Sequence, residues 1–251
     1  MTHPLIVGNW KMHGDGAWLD RVAAIAGAVA VPQIDVALCV PATLIHRAAT
    51  IAPGLTIGAQ DCHWAATGAH TGAISAMMLR EAGAQVMILG HSERRAAGDD
   101  DAHVAAKVAA AQNAGLRVIL CVGESAAERD DGAATARVRA QLIASLPERL
   151  TAGLTIAYEP IWAIGRGVIP SPVEITSVVD GIRSVLTARN VANARVLYGG
   201  SVTAAATRDL LARTDIDGLL VGAASLKPAT FSEIIGAAIG LTNLDRPKPR
   251  L

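Results

Sequence analysis

The feature that most constrains this chain is a repeated unit: a short β-branched apolar run, a polar or glycine-rich loop, then an amphipathic or alanine-rich segment. The apolar runs fall at 5–9, 35–40, 56–60, 86–90, 117–122, 155–159, 195–198 and 218–222. They are continuous rather than alternating, as parallel strands buried on both faces are. Helical segments between them include 101–114, 173–188 led by Pro172, 203–212, and 229–238 led by Pro228. The segment from Asp101 opens on acidic residues and stops at Gly115, which suits helix start and stop chemistry. Asp99-Asp100-Asp101 therefore reads as a helix cap rather than a metal site. Alternation alone also suits an open doubly wound sheet. Eight units within 251 residues, with no composition shift or linker between them, favour closure into a (β/α)8 barrel. Residues 1–251 read as a single α/β domain, with 241–251 a loosely packed C-terminal tail.

Composition supports a packed interior of aliphatics. Hydrophobic residues make up 51% of the chain but aromatics only 3%, so Val, Ile, Leu and Ala must fill the core. The formal net charge is zero, which gives no electrostatic pull toward nucleic acid or an anionic membrane. Cys39, Cys62 and Cys121 are an odd, widely spaced set and not a disulfide framework. The amino-terminal residues carry no basic stretch or long apolar run, and the apolar stretch 22–32 is too short to span a bilayer. The expectation is a soluble cytoplasmic protein.

In a barrel of this kind the chemistry lies at the carboxyl ends of the strands. Those ends read Asn9-Trp10-Lys11, Gln60-Asp61-Cys62, Gly90-His91-Ser92-Glu93, Cys121-Val122-Gly123-Glu124, Glu159, Gly199-Gly200-Ser201 and Gly222-Ala223. Thr155-Ile156-Ala157-Tyr158 is a buried strand, and Pro160 stops its ladder directly after Glu159. The apolar segment that follows suits a loop that moves as a unit over a base. A lysine, a histidine and a glutamate thus converge on one mouth. Gly199-Gly200-Ser201 and Gly222-Ala223 each open a helix, where backbone N–H groups and the dipole favour a phosphate dianion. His91, with itself or Ser92 as the cap, stands at a helix start that disfavours its protonated form. The remaining histidines, His3, His13, His46, His63, His70 and His103, have no metal-ligand spacing and read as surface, interface or packing residues. Gly165-Arg166-Gly167 lacks the third glycine of a dinucleotide loop and stands apart from its strand.

Taken together, Gly8-Asn9-Trp10-Lys11-Met12, Gly90-His91-Ser92-Glu93-Arg94-Arg95, Cys121-Val122-Gly123-Glu124, Tyr158 through Gly165, Tyr198-Gly199-Gly200-Ser201-Val202 and Leu220-Val221-Gly222 resemble the triosephosphate isomerase family. These segments occur in order and span nearly the whole chain. The resemblance implies a TIM barrel that interconverts dihydroxyacetone phosphate and D-glyceraldehyde 3-phosphate, in glycolysis and gluconeogenesis, with neither metal nor cofactor. The family is itself a standard example of a carboxylate base, a neutral histidine and a closing loop. Matched to it, Glu159 is the base, His91 the neutral electrophile and Lys11 the fixed cation, with Asn9 beside it. Gly165, Ser201, Gly222 and Ala223 fall where main-chain N–H groups bind phosphate. Glu93 is the partner that holds Lys11, and Glu124 anchors the open lid, about 160–170, through Trp162.

The chain departs from the family pattern at several positions. Arg166 replaces a threonine in the lid, and it either attracts phosphate at long range or points into solvent. Pro170 stands where a residue with a free N–H would donate to the Tyr198 hydroxyl, so that latch is ruled out as usually drawn. The closed lid is expected to be weaker for its loss unless another group substitutes. Ala223 replaces a glycine, and Ala73 replaces a glutamate that would pair with Arg94 across a subunit interface. His13 stands where asparagine is common and faces the same region. The resemblance implies a homodimer in which the loop 68–75, through Thr71, contacts Asn9, Lys11 and Met12 of its neighbour. Two other readings share these residues: an isomerase of a four-carbon ketose phosphate, and a non-catalytic barrel that binds a sugar phosphate.

Overall fold

The computed structural model describes residues 3–29 and 32–239; the expected tail at 241–251 lies outside them. Eight strands, β1 (Leu5–Asn9), β2 (Asp35–Cys39), β3 (Thr56–Ala59), β4 (Val86–Leu89), β5 (Arg117–Val122), β6 (Leu154–Tyr158), β7 (Arg195–Tyr198) and β8 (Gly218–Val221), close into a barrel in sequence order. All pairings are parallel, and β8 returns to β1 with Gly218 beside Leu5 and Val221 beside Gly8. The open-sheet alternative is thereby excluded. In five runs the expected last residue, such as Glu159, lies just beyond the strand. Glu159 N–H still bonds Val122 O at 2.8 Å, but Pro160 has no N–H with which to carry the ladder on.

The helices are α1 (Leu19–Ala28), α2 (Ile45–Ile51), α3 (Ala76–Glu81), α4 (Ser92–Ala96), α5 (Asp101–Asn113), α6 (Ala126–Asp130), α7 (Ala134–Ser145), α8 (Pro172–Ala188), α9 (Ala204–Arg213) and α10 (Pro228–Ile239). Of the aspartate run, Asp100 alone caps α5, accepting from His103 N–H. Asp99 bonds the buried Lys107 at 2.6 Å, and Asp101 bonds Arg95 at 2.6 Å. Ser171 and Glu174 form a reciprocal capping box at the start of α8, with Pro172 at its first position, so the chain re-enters regular structure at a fixed point after the lid. Among the described residues no helix is long and apolar enough to cross a membrane.

Strand periodicity divides the core in two. Ile6, Leu38, Ile57, Met87, Val118, Ile156, Val196 and Leu219 point outward and pack beneath the helices. Their neighbours Val7, Cys39, Ile88, Cys121, Ala157, Leu197 and Leu220 fill the barrel axis. Continuing each inward stripe toward the amino ends reaches Asp35, Arg117, Thr155 and Arg195. Asp35 and Arg195 pair at 2.5 Å, and these residues line a cavity of about 710 Å³ at the floor. Continuing the stripes the other way reaches Asn9, Gly123, Glu159, Gly199 and Gly222. The barrel's geometry, and not local sequence, therefore brings these residues together.

The three cysteines are free and buried. Burial pushes the Cys39 thiol up to about 12, and burial together with the Asp61 charge does the same to Cys62. These thiols are packing groups. Packing around Cys39 leaves no room at Gly58, where a β-carbon would lie 2.5 Å from Cys39 Sγ and 2.8 Å from Val86 Cγ1. Gly58→Ala should lower unfolding free energy by about 1–3 kcal/mol in a denaturant titration, the usual cost of overpacking. Adding Cys39→Ala, which removes the sulfur, should return part of that loss.

Candidate active site

At the carboxyl ends of the strands lies a pocket of about 470 Å³. Its wall includes Asn9, Lys11, His91, Glu159, Gly165, Ser201, Gly222 and Ala223, the residues expected to carry catalysis and phosphate binding; the strand ends at 60–62 and 121–124 do not line it. His13, read from sequence as a surface or interface residue, also lines it and lies over the Trp18 ring.

Glu159 is only 2% exposed, so its carboxyl group depends on specific partners. Oε2 accepts the Ser92 N–H at 3.0 Å, and Oε1 lies 3.2 Å from His91 Nε2. The main chain holds it as tightly. A β-carbon on Gly123 would come within 1.8 Å of Glu159 O, and one on Gly199 within 3.0 Å of Glu159 Cγ. His91 caps α4: its Nδ1 accepts the Glu93 N–H at 3.2 Å. An accepting Nδ1 carries a lone pair, so the ring is neutral and its proton sits on Nε2, facing the pocket.

Lys11 has φ of 52°, a left-handed conformation rare for a side-chain-bearing residue. Asn9 Oδ1 accepts the Lys11 N–H at 3.0 Å and supports that turn. Lys11 Nζ bonds Glu93 Oε1 at 2.6 Å, the partner expected from sequence. Partial burial acts to raise the Glu93 carboxyl pKa, but the Lys11 hydrogen bond and nearby positive charge hold it below its ordinary value. Trp10, fully buried, ties this turn to the β8 loop by donating to Ser225 O at 3.1 Å.

The two small-residue loops follow the paired strands β7 and β8 and line the pocket side by side. Gly200 passes so close to the Tyr198 hydroxyl that a β-carbon there would come within 2.1 Å. Among the described residues Lys11 and Asn190 are the non-glycines with positive φ, so Ala223 occupies its site without backbone strain. The lid rests on this rim: Ser201 Oγ accepts the Gly167 N–H at 3.1 Å and donates to Ala163 O at 2.8 Å.

Beneath the lid's leading end lies a clamp that sequence reading found only in part. Trp162 Nε1 donates to Glu124 Oε1 at 2.9 Å, and this bond coexists with the lid's contacts to Ser201. Arg129 donates twice to the same oxygen, at 2.9 and 2.8 Å, and also reaches Tyr158 OH and Glu174. Burial and the Glu124 charge raise the pKa of Tyr158, keeping its hydroxyl protonated. Arg129 and Glu174 were absent from the sequence reading. The capping box Ser171-Pro172-Val173-Glu174 was a legible signal for Glu174, whereas Arg129 gave none. Arg94, left without its expected partner by Ala73, bonds Asp61 at 3.0 Å within its own chain.

A closed parallel barrel with a buried carboxylate beside an imidazole, in a pocket at its carboxyl face, has the form of a (β/α)8-barrel enzyme. A family model described as Triosephosphate isomerase matches residues 4–238. The chain is 49% identical over 245 residues to Triosephosphate isomerase of Ruegeria pomeroyi, covering 94% of this chain and 98% of that one. It is 50% identical over 241 residues to Triosephosphate isomerase of Xanthobacter flavus, covering 93% and 97%. A crystal structure of triosephosphate isomerase from Bartonella henselae superposes with a TM-score of 0.87 at 40% identity, covering 94% of this chain and 99% of that chain. The chain belongs to the triosephosphate isomerase family, and its reaction is the interconversion of dihydroxyacetone phosphate and D-glyceraldehyde 3-phosphate.

The Tyr198 hydroxyl is buried without a hydrogen-bond partner, as is Glu124 Oε2. This agrees with a hinge whose Pro170 offers no N–H. Removing an unpaired buried hydroxyl should cost little. In Tyr198→Phe, relaxation dispersion should give a lid-opening rate within about twofold of wild type, with unfolding free energy unchanged or slightly raised. A large change in opening rate would show that the hydroxyl holds the lid after all.

Proposed function

We propose that Glu159, His91 and Lys11 carry out the isomerisation, while Gly165, Ser201, Gly222 and Ala223 hold the substrate's phosphate. The observation that carries this reading is the placement of a buried carboxylate 3.2 Å from a proton-bearing imidazole nitrogen, inside the pocket bordered by both small-residue loops. Backbone N–H groups around the rim bind the phosphate oxygens and leave C1 and C2 toward the barrel axis. Glu159 gives up its bond to Ser92 N–H and takes a proton from C1 of dihydroxyacetone phosphate. The C–H bonding pair becomes the C1=C2 bond of an enediolate, and negative charge collects on the C2 oxygen. His91 Nε2–H and the Lys11 ammonium stabilise that oxygen. His91 transfers protons between the two oxygens, and Glu159 returns its proton to C2, giving D-glyceraldehyde 3-phosphate. No atom is gained or lost, so the residues suffice without a cofactor.

Each part has a recognisable magnitude. A positioned base contributes roughly 10²–10⁴-fold. Removing one donor to a developing oxyanion in a dry site costs about 3–4 kcal/mol. The grip on the non-reacting phosphate provides binding energy that orients the carbons and seats the lid, which also keeps water from the labile enediol phosphate.

The whole described barrel serves as one catalytic domain, and two copies associate. Support for association comes from exposed apolar side chains clustered in sequence around the loop 68–75: Trp64, Ile74, Met77 and Met78, with Met12, 96% exposed, beside the active-site turn. Thr71 at the loop tip enters the neighbouring subunit near its Asn9 and Lys11. Sedimentation should show a dimer at micromolar protein; monomer alone at that concentration would remove this part of the reading.

The chemical assignment is tested by a coupled assay of glyceraldehyde 3-phosphate isomerisation, beside Glu159→Asp. Shortening the side chain withdraws the carboxylate by about 1 Å and should lower kcat about 10²-fold. A mutant as fast as wild type would displace Glu159 as the base. A folded wild type that turned over only slowly would point to a four-carbon substrate.

A further inference from the structure

Arg166 occupies the tip of the lid between Gly165 and Gly167, both of which line the pocket and have positive φ. Its own N–H is directed back to Ala163 O, and its side chain is exposed. The ion pairs around the mouth join Lys11 to Glu93, and Arg129 to Glu124 and Glu174; among the described residues Arg166 takes part in none. Most fixed charges there are therefore matched in pairs, which give little net field at a distance. Glu159 faces the pocket, and Arg21, in no ion pair among the described residues, donates to the carbonyl of the pocket-lining Leu226. An exposed guanidinium on the lid tip is thus a substantial part of the net field that a phosphate dianion meets.

We propose that Arg166 is a steering residue for that dianion: its guanidinium, carried unpaired on the lid tip, adds positive field at the mouth and raises the rate of productive encounter without touching the reacting atoms. This inference rests on the functional reading above. Exposure suits the role, because steering acts through the field at several ångströms before docking and requires no contact in the bound state. A dianion and a unit charge about 8 Å apart in water interact strongly enough to change encounter about fivefold, and only where salt does not screen them.

The experiment is the ionic-strength dependence of kcat/KM for wild type, Arg166→Ala, Arg166→Lys and Arg166→Glu, with Arg149→Ala as a control that removes the same charge beyond the amino end of β6. At about 10 mM ionic strength Arg166→Ala should lose about fivefold in kcat/KM, with kcat retained, and should converge on wild type near 1 M, where the screening length is about 3 Å. Arg166→Lys should recover the wild-type value, Arg166→Glu should fall further, and Arg149→Ala should follow wild type. Parallel salt curves for Arg166→Ala and wild type would overturn the proposal. So would a deficit that persists at high salt, which would mark a structural effect on the lid, or an equal loss in Arg149→Ala, which would mark an effect of net charge. An inactive wild type would instead refute the underlying assignment of function.

Discussion

Closure of the sheet is the constraint on which everything else depends. Once eight strands of four to six residues pair in a ring, every second side chain must point to the axis, and the interior admits only what fits there. Cys39, Cys121 and Ala157 are small because the axis is crowded, and Gly58 has no β-carbon because Cys39 and Val86 occupy its place. The same alternation sends Glu159 and Asn9 into the mouth and Asp35 and Arg195 into the floor. The functional end is the continuation of the packing rule past the point where packing stops.

The strands were legible because parallel, doubly buried strands are continuous apolar runs, and eight of them left little choice of topology. The site was legible for a related reason: in a closed barrel the strand ends must converge, so naming the polar residue after each run nearly names the pocket. Long-range polar partners were not legible. Arg129 lies five residues beyond Glu124, yet nothing in their spacing shows that both reach Trp162 and Tyr158 under the lid. Lys107 gave no sign of being buried between Asp61 and Asp99, because the strands and helices bring these residues together only after folding. His13 is exposed, as expected of a surface residue, and the folded turn around Lys11 also puts it on the pocket wall.

The two ends of the lid are held by different means. Its leading end is fixed by a fully buried glutamate that receives an indole, a guanidinium and a phenol on one oxygen, a concentration of charge-assisted bonds in a dry environment. Its trailing end carries Pro170 and has no bond from Tyr198, and relies on the capping box of α8 to define where the loop stops. Between them, among the described residues, the hydrogen bond from the tip to the rim is that of Gly167 N–H to Ser201. The segment is thus held more firmly at its leading end than at its tip.

The approach of Gly123 to the carbonyl of Glu159 has a meaning beyond local packing. The reach of the base is set by two backbones in contact, with no side chain between them to wear away or be swapped. A redesign of this frame for another substrate can therefore work on exposed lid side chains such as Arg166, while position 123 admits only glycine.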